Sequence, residues 1–392
     1  MSLDVFQQVF SLSLASGGVT GNQGDQVTLQ KELRNYVANK LPKIGADWQV
    51  AWGPVVWKNV PEDTNSGPDH SWYIAYHPSL EFEDGSMHPT YVVGIAGTAG
   101  HSLVDVLEDI GVSAVSDFKA WVDGGIQNKP VIVPARDDKA YIAAGTVSGV
   151  YILLTTMTPE NAASPGTTFL DFVTNIDKSA SPRIVFSGHS LGGALAPSLA
   201  LALVSAGAIP ADTTLTYPTA GPSPGNTLFT ELFIQTLPRI KKDGSASYQG
   251  WNLNLVNTLD IVPQAWAYDK SISDEQNLQN IPTIYGAPII PDVQHGIELA
   301  IGLAKRSHVQ YQPLPSQYFT GTPPSAVPKT RHEFFGIASL QHVRSYLVEV
   351  GFRLELAVES QLQLALEHLE EVQEETKKLE GGPEGKVLLG EL

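Results

Sequence analysis

The chain has 392 residues, a formal net charge of −17, 42% hydrophobic and 17% charged residues, and no cysteine. That length holds one large domain or two ordinary ones. The acidic balance excludes the clustered Lys and Arg that a nucleic acid or an anionic membrane would require, and the lack of cysteine excludes disulfides, thiolate metal sites and cysteine nucleophiles.

The opening stretch, MSLDVFQQVFSLSLASGG, is apolar but carries no Lys or Arg before Lys31, so no secretory signal is read there. Its first residues read equally as a processed or added start. No apolar run approaches the roughly 20 residues that span a bilayer. Residues 27–41 predict an amphipathic helix, and residues 48–76, with aromatic and β-branched clusters broken by Gly, Pro, Asn and Asp, predict antiparallel strands and a hairpin. MHPTYVVGIAGTAG carries a short strand over 91–95 that runs into a glycine-flanked turn. The next segment, LVDVLEDIGVSAVSDFKAWV within residues 101–125, interleaves apolar residues with acids and reads as a helix.

Residues 140–154 and 168–177 predict a long and a shorter helix. PRIVFSGHSLGGALAPSLALAL then predicts a buried strand over 184–186 and a tightly packed small-residue helix over 191–203. Two more short strands fall at 213–217 and 253–257. Strands alternating with helices in short units point to an α/β domain with a largely parallel sheet. Residues 269–330 form a long Pro-, Gly- and Ser-rich insertion with one helical pattern at 293–306, and connections of that size are usually functional. From residue 339 the chain turns helical. Val358, Leu362, Ala365, Leu369, Val372, Thr376 and Leu379 alternate spacings of four and three, a short heptad seam that reads as a helix on its own domain or a homodimer contact. The expected organisation is a catalytic domain over 1–352 containing the 269–330 insertion, an amphipathic helix over 353–378 and a flexible tail over 379–392.

The chemistry gathers at Gly-His-Ser-Leu-Gly. A serine between a strand and a helix, flanked by glycines, has the sequence context of a nucleophile elbow, and Ser190 is the candidate nucleophile. Its hydroxyl needs a base, and the base needs an orienting group. Asp260, just past the strand at 253–257, is the candidate acid, because strand C-terminal ends collect catalytic groups in open α/β sheets. Of the downstream histidines, His368 lies in an acidic helix, His308 in a strand-like HVQYQ and His295 at the opening of the insertion's helix. His342, read at the start of the last helix with Tyr346 one turn on, is the preferred base, with His332 as the alternative. An oxyanion hole needs two N–H donors. Leu191 supplies one, and Thr98 of VVGIAGTAG the other, unless Gly94, Gly97 and Gly100 only permit a tight turn.

Four separated segments resemble the class 3 lipase family, best known from fungal triacylglycerol lipases: VVGIAGT, IVFSGHSLGGALA, LTYPTAGPSPGN and VNTLDIVP. The resemblance covers residues 91–346 and points to a bacterial or otherwise divergent member. It implies an α/β-hydrolase fold with a mostly parallel central sheet, helices on both faces, a lid-like helix after the oxyanion strand and a long C-terminal helix. It also implies Ser190, Asp260 and His342 as a catalytic triad with Thr98 and Leu191 as oxyanion donors. The family's oxyanion-loop arginine is replaced here by Ala96, and Ser223 and Pro224 stand where an arginine usually follows Gly-x-Pro. The family's histidine usually has an aromatic three residues on, whereas Tyr346 is four on. The lid falls within residues 101–125, where an apolar face would open toward an oil–water interface.

The expected reaction is hydrolysis of carboxylic esters, above all acyl glycerols, with phospholipase A1 or short-chain or feruloyl esterase activity as the alternative and a non-catalytic binding fold as the remote one. This chemistry requires no cofactor, and the sequence shows no convincing metal-ligand spacing. The compartment stays open between a bacterial cytoplasm and the medium outside.

Overall fold

The computed structural model describes residues 3–97, 111–136 and 138–352. Helix α1 (Val5–Ser16) is capped by Asp4, whose carboxylate accepts from the Gln7 N–H while the Gln7 side chain returns the bond. Helix α2 (Gln26–Ile44) follows, capped by Asp25. Three strands come next, β1 (Gln49–Trp57), β2 (His70–Glu81) and β3 (Met87–Ile95), pairing as an antiparallel meander.

After β3 the chain passes through β4 (Val115–Asp117), α3 (Phe118–Asp123), β5 (Ile132–Val133), β6 (Tyr141–Ala143), α4 (Ala144–Thr155) and α5 (Phe169–Thr174). It then enters β7 (Arg183–His189) and α6 (Leu191–Ser205), followed by β8 (Thr214–Thr219), β9 (Gly225–Asn226), α7 (Thr227–Thr236) and β10 (Asn254–Asn257). The last elements are α8 (Pro291–Arg306), β11 (Tyr311–Gln312), β12 (Ser316–Phe319), α9 (Arg331–His342) and α10 (Arg344–Glu349).

Seven strands make the central sheet in the order β1-β2-β3-β7-β8-β10-β12, parallel from β3 onward. This is an α/β-hydrolase fold. Side-chain alternation in the central strands assigns each residue to one of two cores. Ile184 and Phe186 of β7 join Val93, Ile95, Trp72 and Leu195 on one face, under α4 and α6. Val185 joins Val92, Tyr73, Leu215 and Tyr217 on the other, under α1 and α2. Nine of the twelve residues of α1 are buried. The Leu12 carbonyl accepts from Tyr73 Oη at 2.8 Å and the Ser16 carbonyl from Ser71 Oγ at 2.8 Å. The apolar opening stretch is therefore part of the core of this fold.

A second, five-stranded sheet, β11-β9-β6-β4-β5, is built entirely of antiparallel pairs. It meets a third apolar core built by the insertion, in which Trp266, Leu278, Ile281, Val293, Ile297 and Ala304 pack with Phe334 and Ala338 of α9. The 269–330 segment, despite its loop-like composition, thus encloses a core of its own.

Several expectations need correction. The single helix expected within 101–125 does not extend to its C-terminal half. Val115–Asp117 is a strand paired with β5 and β6, and only Phe118–Asp123 is helical. Val112, Val115, Phe118 and Trp121 are buried in that part, so it is core rather than a swinging surface. The rest of the lid segment, residues 101–110, lies outside the described residues, as do the helix expected at 353–378 and the tail at 379–392. The helix expected from residue 140 begins at Ala144, since Tyr141–Ala143 is a strand. Among the described residues no helix is long and apolar enough to cross a membrane.

Candidate active site

Ser190 sits at the turn between β7 and α6 with φ 62° and ψ −127°, a conformation that costs an L-residue energy and persists only where the surroundings impose it. Two contacts do so. The Ser190 N–H donates to the Thr219 carbonyl at 3.0 Å, and the Gly193 N–H donates to the Ser190 carbonyl at 2.8 Å. The flanking glycines are required by close approach. A Cβ on Gly188 would lie 2.3 Å from the Gly192 carbonyl oxygen, and one on Gly192 would lie 2.4 Å from that of Ile95. The strand and the helix can meet at so sharp an angle only because neither glycine carries a side chain.

Asp260 lies three residues past β10 and is fully buried. One carboxylate oxygen, Oδ1, accepts from the Val262 N–H at 3.0 Å. The other, Oδ2, accepts from His342 Nδ1 at 2.8 Å and from Tyr346 Oη at 2.9 Å. The Tyr346 oxygen in turn accepts from the Asn257 N–H at 3.0 Å, so the strand end, the carboxylate and α10 are tied together. Burial, and next the Asp260 charge, pushes the Tyr346 hydroxyl well above its ordinary range, so it remains a donor. An imidazole bonded through Nδ1 to a carboxylate is held in the tautomer that offers Nε2 as a base.

His342 is the last residue of α9, with α10 beginning two residues later, and so does not open the final helix as expected from sequence. The break at Val343 lets His342 and Tyr346 both face the same carboxylate oxygen. Of the other histidines considered, His332 lies in the first turn of α9 and is half-buried, while His295 and His308 are exposed. His368 lies outside the described residues.

One neighbour had no signal in the downstream search. His189, the residue before the elbow serine, is buried, and its ring stands 4.6 Å from that of His342 and 5.1 Å from that of Tyr346. Its Nδ1 lies 2.9 Å from Thr219 Oγ1, while its Nε2 is buried with no hydrogen-bond partner among the described residues. Burial first, and then the nearness of His342, lower its proton affinity well below that of a free imidazole. Only position could have flagged it, as the last strand residue pointing away from the α6 face.

Leu191 opens α6, and an N–H in a helix's first turn has no acceptor within the helix. The end of β3 approaches the serine closely, since a Cβ on Gly97 would lie 3.1 Å from the Ser190 Cβ. Thr98 itself lies outside the described residues. Among the described residues no group of three or more His, Asp or Glu is disposed to hold a metal.

A family model described as lipase (class 3) matches residues 92–269, a span that includes the elbow and Asp260. Over those residues the chain is similar to class 3 lipases. Among solved structures, the fold is shared with M37 lipase, with a TM-score of 0.68 at 21% identity, covering 94% of this chain and 99% of that one. Lipases from Rhizopus microsporus var. chinensis (TM-score 0.39, 17% identity, 68% of each chain) and Yarrowia lipolytica (0.42, 19%, 66% of this chain and 73% of that one) also match. No curated protein matches the chain. The family match supports a serine ester hydrolase.

Proposed function

We propose that this protein is a lipase that hydrolyses the ester bonds of acyl glycerols through an acyl-enzyme intermediate, with Ser190 as nucleophile, His342 as base and then acid, and Asp260 as the group that orients the imidazole. One observation carries the reading: a fully buried carboxylate bonded at 2.8 Å to His342 Nδ1, beside a serine held at φ 62° on an elbow. Ser190 Oγ attacks the acyl carbon and gives its proton to His342 Nε2, while Asp260 stabilises the imidazolium. The oxyanion receives the Leu191 N–H and, from the loop after Gly97, the Thr98 N–H. Collapse of the tetrahedral intermediate expels the alcohol, which takes the proton from His342. Water then attacks the acyl-enzyme by the same route in reverse.

The catalytic unit in this reading is residues 1–352 with the insertion built in. Its partner is a neutral lipid or another ester, met in solution or at an oil–water interface, and a homodimer would form through the helix expected at 353–378. The test is labelling by a fluorophosphonate in the wild type and in Ser190→Ala, His342→Ala and His332→Ala. The reading predicts an adduct on Ser190 that is lost in the first two variants and kept in the third. Loss in His332→Ala with retention in His342→Ala would reassign the base. Initial rates on glycerides of graded chain length, phospholipids and feruloyl esters test the substrate class. Fastest turnover of a phospholipid or a feruloyl ester would replace acyl glycerols in the proposal.

A further inference from the structure

The elbow brings a second imidazole to the site, and the triad chemistry leaves it without a task. We propose that His189 is a positioning residue, a ring anchored on β8 that backs the His342 imidazole and keeps it on Asp260 while it carries the serine proton. The inference rests on the triad reading above.

Three features converge on it. The ring is tethered across two strands, its backbone ending β7 and its Nδ1 lying 2.9 Å from Thr219 Oγ1 at the end of β8. It packs against His342 at 4.6 Å between centroids with the planes 37° apart, and Tyr346 meets it edge-on at 5.1 Å and 77°. His189 therefore touches both of the side chains that donate to Asp260 Oδ2. The third feature is cost. A buried nitrogen without a partner opposes folding, and among the described residues His189 Nε2 is such an atom. Filling the space would favour an apolar ring, so packing alone does not account for an imidazole here.

A neutral ring is what this position needs. The titratable groups around it are His342, Tyr346 and, beyond them, Asp260, with the Tyr285 hydroxyl bonded to the Leu259 carbonyl on the far side. A charged His189 would repel the imidazolium that forms on His342 in the transition state. Burial keeps it uncharged, so the serine proton has one destination, the ring bonded to the carboxylate.

The experiment compares His189→Asn, which retains an amide for Thr219 but removes the ring, with His189→Phe, which retains a ring and removes both the tether and the unpartnered nitrogen. Steady-state kinetics on a soluble ester, thermal melting and fluorophosphonate labelling are read together. Misplacing a catalytic group by an ångström costs about 100-fold. The inference predicts a fall in kcat of about that size in His189→Asn with KM within about threefold of wild type. It also predicts recovery of about tenfold of the loss in His189→Phe, which melts no lower than wild type. The acid limb of the pH–rate profile keeps a single titration in both variants. Wild-type kcat in His189→Asn, equal losses in both variants, or a loss that follows the melting temperature would overturn it. Wild-type labelling at Ser190 that disappears in His342→Ala keeps the two ideas separable: if that control fails, the triad reading falls first.

Discussion

Between Gly188 and Gly193 the backbone runs so close to its neighbours that added Cβ atoms would meet carbonyl oxygens at 2.3–2.5 Å. In the 269–330 segment order comes instead from apolar side chains such as Leu278, Ile281 and Ile297, which meet Trp266 and Phe334 in one cluster. The elbow is specified by what cannot fit, and the insertion by what must be buried. The first kind of region aims a reactive group and tolerates almost no change. The second builds an apolar core and responds to mutation in proportion to the area lost.

That contrast breaks most readily at Gly192. A Gly192→Ala variant puts a methyl 2.4 Å from the backbone oxygen of Ile95, which no side-chain rotation relieves. A loss of more than about 3 kcal/mol is expected in denaturant melts, together with loss of Ser190 labelling. In the insertion, Ile297→Ala removes a side chain that is 4% exposed and should cost about 2–4 kcal/mol by the same melts. Labelling at Ser190 should survive in the folded fraction. If it did not, the insertion would be shaping the catalytic geometry and the two regions would not be separable.

A finer test lies in the support of the proposed triad. Tyr346→Phe removes one of the donors to Asp260 Oδ2 and the acceptor of the Asn257 N–H, a charged hydrogen bond worth about 1.5–3 kcal/mol. A kcat lowered about 10- to 100-fold at little changed KM is expected from initial-rate kinetics.

The smallest effect concerns acid. His70, at the start of β2, packs its ring near Trp57 and Gly149, and burial lowers it from 6.5 to about 4, with Asp69 pulling back. The unfolded chain therefore takes up this proton first. The stability from the neutral ring is complete above pH 6.5 and is lost as pH falls toward 4. His70→Gln should flatten the pH dependence of the melting temperature in that window, and an unchanged slope would remove the assignment.

What the sequence disclosed followed the same division. Gly188, Ser190 and Gly192 were readable because a strand-to-helix turn demands those residue types locally. The strands ending near Ile95, Thr219 and Asn257 were readable from short apolar runs. Val115–Asp117 was not, because its strand exists only through pairing with β5 and β6, while its apolar–acidic mixture imitates a helix. The buried role of α1 was hidden for a similar reason, since no pattern within it says which sheet face it will cover. Asp260 and His342 could be nominated by order along the chain. The bond between them depends on the break at Val343, which has no sequence signature, and on Tyr346, whose place one turn past His342 was readable but whose bond to Asp260 was not. His189 escaped notice because its meaning lies in its contact with His342 rather than in its spacing.

The most direct measurement is the rate at which a fluorophosphonate modifies Ser190 in the wild type and in Asp260→Asn, followed by mass spectrometry of the intact protein and of its peptides. With Asp260 steering His342, the variant should fold normally and label about 10⁴-fold more slowly, because the asparagine stabilises the wrong imidazole tautomer. Equal rates in the two proteins, or an adduct on a residue other than Ser190, would contradict the account.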